Sequence, residues 1–203
     1  MRSLLGRVPL LVWFLLPTFI IVGVGVWFLG RGGAINGGNK DSTKPEAVSR
    51  PVQGTVDYTI VSRTHIAEGT TGSGYNSNPS SSGPHWPSPA QKGIYDTAEA
   101  DQRYIHNLEH GYIWISYRPP NDTQSATNSA GLKSGASQDD INKLKDIVKQ
   151  DDWKIVMTPR DKDDAKIALA AWGRVLNMDS LDEQKVKDFI RTYRNRGPER
   201  TPE

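Results

Sequence analysis

Cysteine is absent from the 203-residue chain. Disulfides and thiolate metal sites are therefore excluded, and any metal must bind to histidine, carboxylate or backbone oxygen. A surplus of one charge is missing too. The chain has 25 basic and 23 acidic residues, a formal net charge of +2. Dedicated nucleic-acid binders carry a strong basic excess, so no nucleic-acid partner is expected. There is no G-x-S-x-G elbow to present a nucleophilic serine; Ser80, Ser81 and Ser82 simply precede Gly83-Pro84-His85. No glycine-rich phosphate cradle leads from a strand into a helix, and Gly69 to Gly74 lacks the lysine such a loop needs. No internal repeat is visible.

One long hydrophobic run is present. From Val8 to Gly30 no residue is charged, and roughly 20 apolar residues suffice to cross a bilayer core. Trp13 and Trp27 fall towards its ends, where an aromatic belt would place them, and Pro17 would kink the helix. A cleaved signal peptide would have a shorter core, of about 7–15 residues, ending in a small-x-small site. This run ends in Trp27-Phe28-Leu29-Gly30-Arg31, which favours an uncleaved anchor. Arg2 and Arg7 precede the span, and Arg31, Lys40 and Lys44 follow it. That near-balance leaves the short tip inside and the body outside as the simpler topology. The expected organisation is a cytoplasmic tip and transmembrane anchor over 1–30, a flexible linker over 31–54, an extracytoplasmic domain over 55–197 and a disordered tail over 198–203. The protein is thus expected in the cell membrane as a single-pass chain.

Within the domain, Val56, Tyr58 and Ile60 alternate with polar residues, a short strand pattern. Glu68 to about Ala100 is dense in Gly, Ser, Asn and Pro, yet carries Tyr75, His85, Trp86, Ile94 and Tyr95. A disordered loop would hold few such anchors, so this one is expected to be ordered and wrapped onto the body. Tyr112 to Tyr117 has strand content, while 119–136 is polar and small, a surface loop. Ser137 caps a helix with Ile141, Leu144, Ile147 and Val148 on one face. Trp153 to Thr158 and Ile167 to Trp172 are strands that should pair as a hairpin. Ser180 and Glu183 form a capping box for a last helix carrying Val186, Phe189, Ile190 and Tyr193, ended by Gly197 and Pro198. The expected fold class is α+β: a largely antiparallel sheet, two helices on one face and a long ordered loop.

The four histidines are His65, His85, His106 and His110, and three fall between 85 and 110. If His106-Asn107-Leu108-Glu109-His110 is one helical turn, His106 and His110 share a face with β-carbons about 5–6 Å apart and can hold one ion. If it is extended, they are about 13 Å apart and cannot. Gly111 suits a helix end, which favours the turn. His85, His106 and His110 are then the expected metal ligands, with His65, Glu109 and Tyr75 as further site residues. Nitrogen ligands without thiolate suit a divalent transition metal such as zinc or copper. The plainer reading is a structural polar network in which the histidines pin loops to backbone carbonyls. His106-x-x-Glu109-His110 also fits the inverted zincin pattern H-x-x-E-H, with Glu109 as a base, but the strand from Tyr112 leaves room for only a turn or two of helix.

The runs Tyr75-Asn76-Ser77-Asn78-Pro79, Ser82-Gly83-Pro84-His85, Gly93-Ile94-Tyr95 and His106-Asn107-Leu108-Glu109-His110-Gly111 resemble a prokaryotic, membrane-anchored family catalogued as domain of unknown function three-one-zero-five. The resemblance spans about His65 to Val175, including Ala171-Trp172-Gly173-Arg174. Ser80 stands where members often have a second proline, and the loop from Asn121 to Ser137 is longer than the family pattern. The resemblance implies an anchored extracytoplasmic α+β domain, places all four histidines on motif positions, and transfers no activity. Two functions follow as expectations: a metal-binding domain, or a non-catalytic interaction module serving a membrane or envelope complex through an unidentified protein partner.

Overall fold

The computed structural model describes residues 50–120 and 134–202. The expected membrane span and most of the linker lie outside these residues, as does 121–133 of the polar loop. Among the described residues no helix is long and apolar enough to cross a membrane.

Six strands form one sheet: β1 (Thr55–Asp57), β2 (Gly93–Ile94), β3 (Ile113–Tyr117), β4 (Ile155–Pro159), β5 (Ile167–Ala171) and β6 (Arg174–Met178). Three helices accompany them among the described residues: α1 (Asp101–Glu109), α2 (Gln138–Gln150) and α3 (Glu183–Tyr193). The strand order is β1-β6-β5-β3-β4-β2. β1–β6, β6–β5 and β5–β3 are antiparallel, whereas β3–β4 and β4–β2 are parallel. The class is α+β, but the sheet is mixed rather than largely antiparallel.

The expected hairpin between β4 and β5 does not form, because β3 lies between them. The connector from 160 to 166 instead steps over the end of β3. Arg160 N–H donates to the Tyr117 carbonyl at 2.8 Å, and Arg118 N–H donates to the Lys166 carbonyl at 2.9 Å. The hairpin that does form joins β5 to β6 across Trp172-Gly173.

Both faces of the sheet are covered, which explains why β3 and β5 are buried at every position. On one face Ile113, Ile115, Ile155, Met157, Leu169 and Leu176 pack with Leu144 of α2 and Phe189 of α3. On the other, Trp114, Val156, Ala170 and Val175 pack with Tyr104, Ile105 and Leu108 of α1 and with Ala90 of the long loop. Helices therefore occupy both faces, not one. The alternation inside β3 assigns the layers: Ile113 and Ile115 face α2 and α3, and Trp114 faces α1.

The caps follow the sequence in part. Ser137 Oγ accepts from Asp140 N–H at 3.1 Å and starts α2 as expected. For α3 the cap is Asp182, which accepts from Lys185 N–H at 3.0 Å, and not Ser180. A carboxylate there also meets the positive end of the helix dipole, which a hydroxyl does not. The left-handed residue after α3 is Asn195, with φ 59°, and not Gly197.

Gly197 has a different task. A Cβ there would stand 2.2 Å from the Glu109 carbonyl oxygen. Gly111, with φ +82°, ends α1, and a Cβ on it would stand 2.8 Å from Asn195 Cα. These two glycines let the chain after α3 lie directly against the end of α1. Asn195 N–H donates to Gly111 O at 2.7 Å and Glu199 N–H to Glu109 O at 3.0 Å. Lys154 Nζ donates to the Thr201 carbonyl at 2.9 Å. Within the segment 198–203, Glu199 and Thr201 are held by these backbone hydrogen bonds.

Candidate metal centre

α1 is a true helix of nine residues that ends at the cap His110, so the extended alternative for the motif does not apply. Each motif residue has its own contact. Asn107 holds the long loop through Ala90, and Leu108 enters the core beneath Trp114. His106 and His110 sit one turn apart with their Nε2 atoms 3.0 Å from each other.

His65 and His85 arrive from two extended segments that pair as a short parallel bridge. Ile66 N–H donates to His85 O at 2.8 Å, and His85 N–H to Thr64 O at 3.0 Å. This pairing sets the two rings side by side, with centroids 4.8 Å apart. The His106 ring stacks on His65 at 5.0 Å and meets His85 edge-on at 5.2 Å. One nitrogen from each of His65, His85 and His106 lies within 4.8 Å of the others. His110 joins through His106.

The outer nitrogens decide the chemistry. His85 Nδ1 is 2.7 Å from the Gly83 carbonyl, and His106 Nδ1 is 2.6 Å from the Trp86 carbonyl. A carbonyl only accepts, so both Nδ1 atoms donate and Nε2 carries the lone pair in the neutral ring. Backbone carbonyls that fix a tautomer in this way are the usual support of metal-ligating histidines. Burial, above all, holds His106 below the ordinary imidazole pKa; the Trp86 hydrogen bond works the other way, and His110, His85 and His65 add to the lowering. Burial thus favours the neutral ring, whose Nε2 faces His110 Nε2 at 3.0 Å.

Glu109 stands behind the rings, its side chain only 1% exposed. Oε1 accepts from Arg63 Nε at 2.7 Å, while Oε2 lies 2.9 Å from His85 Nε2 and 3.6 Å from His65 Nε2. Burial alone would raise the Glu109 carboxyl, but Arg63 and His85 together outweigh it and hold it below the usual value. The outer rim is Glu199, which accepts from Arg63 Nη2 at 2.8 Å and lies 3.6 Å from His110 Nε2.

Three nitrogens around an ion at 2.0–2.1 Å are about 3.4 Å apart, so the triad must close by roughly 1–1.5 Å to hold one. His65 has the freedom to do so, its side chain being 46% exposed. Tyr75 lies beside the centre but its hydroxyl donates to the Pro84 carbonyl at 2.6 Å, fixing the turn that carries His85. Ser82 has a similar task, accepting from Val61 N–H at 3.1 Å. Sequence reasoning missed Arg63, Glu199 and the Trp86 carbonyl. No local pattern marks them, because each acts across a long chain separation.

The domain is thus an α+β fold with a mixed sheet and a histidine group at the end of one short helix. A family profile described as Protein of unknown function (DUF3105) matches residues 65–203, and the chain belongs to that family. No curated protein and no solved structure matches it.

Proposed function

We propose that this is a membrane-tethered, extracytoplasmic domain that binds a divalent transition metal, zinc or copper, through Nε2 of His65, His85 and His106. The observation that carries the reading is the pair of pinned imidazoles. His85 and His106 both spend Nδ1 on a backbone carbonyl and turn Nε2 into a group that a third histidine joins. His110 stands beside His106 as an additional donor. The tether rests on the uncharged run from Val8 to Gly30; resistance of the full chain to carbonate extraction tests it.

The test of the metal site uses the full chain in detergent, stripped of metal and then titrated with zinc, copper and cobalt. The expected result is one tightly held ion per chain, lost in His85→Gln and His106→Gln. A folded wild-type chain that takes up none of the three overturns the reading.

A second reading is a non-catalytic interaction module with the histidines in a structural network. It is favoured by the protein partners at both nitrogens of His85 and of His106. Under it, the same variants lower the melting temperature with no metal signal to lose, and gentle extraction from native membranes yields a stoichiometric partner.

A further inference from the structure

We propose that Glu109 is the fourth ligand of the histidine centre, binding the ion through Oε2 while Arg63 holds Oε1 away from it. The inference rests on the metal reading above and adds an anionic oxygen to its three nitrogens.

The distances to two of the three histidines suit a shared ion. Oε2 lies 2.9 Å from His85 Nε2 and 3.6 Å from His65 Nε2. Neighbouring donors around an ion at 2.0–2.1 Å stand about 3.4 Å apart, which falls between the two.

The proton count points the same way. His85 gives its Nδ1 hydrogen to the Gly83 carbonyl, so its Nε2 presents a lone pair in the neutral ring. Glu109 Oε2 presents lone pairs as well. Two acceptors face each other in the interior, and only a cation between them makes the contact favourable. A divalent metal is such a cation, and it also reaches His65 Nε2, 3.6 Å from the same oxygen.

Arg63 makes the carboxylate one-handed. Its Nε binds Oε1 at 2.7 Å, and its Nη2 is held by Glu199 at 2.8 Å. With Oε1 clamped, Glu109 cannot chelate through both oxygens. Arg63 is therefore a positioning residue. The resulting shell has three imidazoles and one carboxylate, and no sulfur. The chain has no cysteine, and Met157 and Met178 lie in the core on the sheet face opposite α1. Such a set suits zinc, cobalt, nickel or Cu(II) over Cu(I), which prefers thiolate and thioether.

The experiment loads the full chain in detergent with zinc after labelling glutamate with carboxylate 13C, and records the infrared difference between zinc-bound and metal-free protein. A shift of one labelled carboxylate band is expected, and it disappears in Glu109→Gln. In parallel, Glu109→Gln should bind Co(II) on the order of 10–100-fold more weakly, with altered visible bands. Arg63→Gln should retain metal but narrow the splitting of the carboxylate bands, because Oε1 becomes free to chelate. If wild type binds no metal, the histidine reading falls and this one with it. If wild type binds zinc while the labelled bands stay unmoved, Glu109 is not a ligand and the three-histidine reading survives. The labelled wild type decides this even if Glu109→Gln does not fold.

Discussion

The Asn107 side chain grips the backbone of Ala90 at both ends. Oδ1 accepts from Ala90 N–H at 2.9 Å, and Nδ2 donates to the Ala90 carbonyl at 2.8 Å. Both residues are buried, so water cannot replace the amide. Asn107→Ala should cost roughly 1–3 kcal/mol for each stranded backbone group. A lower urea midpoint with an unchanged m-value is the expected result. Metal retention should fall as well, since the same loop carries His85 and the Trp86 carbonyl.

Arg160 holds a second buried network. Its guanidinium binds Asp101 at 2.9 Å, and Asp163 and Asn78 as well. The side chains of Arg160 and Asp163 are 6% and 0% exposed. Arg160→Met leaves a buried carboxylate without its cation, a loss of about 3–5 kcal/mol. Thermal unfolding followed by circular dichroism should show it. A smaller loss should appear in Arg160→Met combined with Asp163→Asn, which removes the stranded charge.

Tyr104 supplies the pH test. Its phenol is fully buried, and burial pushes its pKa from 10.0 up to about 12, opposed by the hydrogen bond from the Glu99 backbone. The folded value is the higher one, so the protonated phenol stabilises the fold fully below pH 10. That contribution is lost as pH rises from 10 to about 12. In an absorbance titration Tyr104 should ionise last, behind Tyr75, Tyr95 and Tyr117, which burial also raises, and together with loss of near-ultraviolet dichroism. Tyr104→Phe should remove the lagging step.

Zinc should stabilise the folded chain if the centre binds it. At a free concentration 100 times the dissociation constant the gain is about 2.7 kcal/mol, read as a rise in melting temperature. His85→Gln and His106→Gln should abolish the rise. His110→Gln should retain most of it, because His110 lies outside the three donors that converge within 4.8 Å. Equal losses in all three variants would move His110 into the shell.

Local chemistry was legible in the sequence and long-range pairing was not. The α2 stripe of Ile141, Leu144, Ile147 and Val148 and its Ser137 cap stand where the pattern puts them. The His106–His110 turn is helical, as Gly111 suggested. The β4–β5 hairpin failed because the segments flank β3, and nothing in seven connecting residues records a strand between their ends. β6 was missed because Asn177 is exposed and Arg174 partly so, which weakens the apolar signal. At the site, His85 and His106 were identifiable by type and clustering. Their grouping with His65 depends on the Thr64–Ile66 pairing with His85, which leaves no mark on spacing.

The parallel bridge between His65 and His85 has one more consequence. The three histidines lie about 20 residues apart in sequence, from His65 to His85 and on to His106. An ion joining them acts as a cross-link, closing two loops whose counterparts in a disulfide would be worth about 3 kcal/mol each. A chain with no cysteine would gain in this way the staple that its loop-rich half cannot make covalently. Chelator would then unfasten the segment from His65 to Trp86 first, and proteolysis there should report metal loss before the sheet yields.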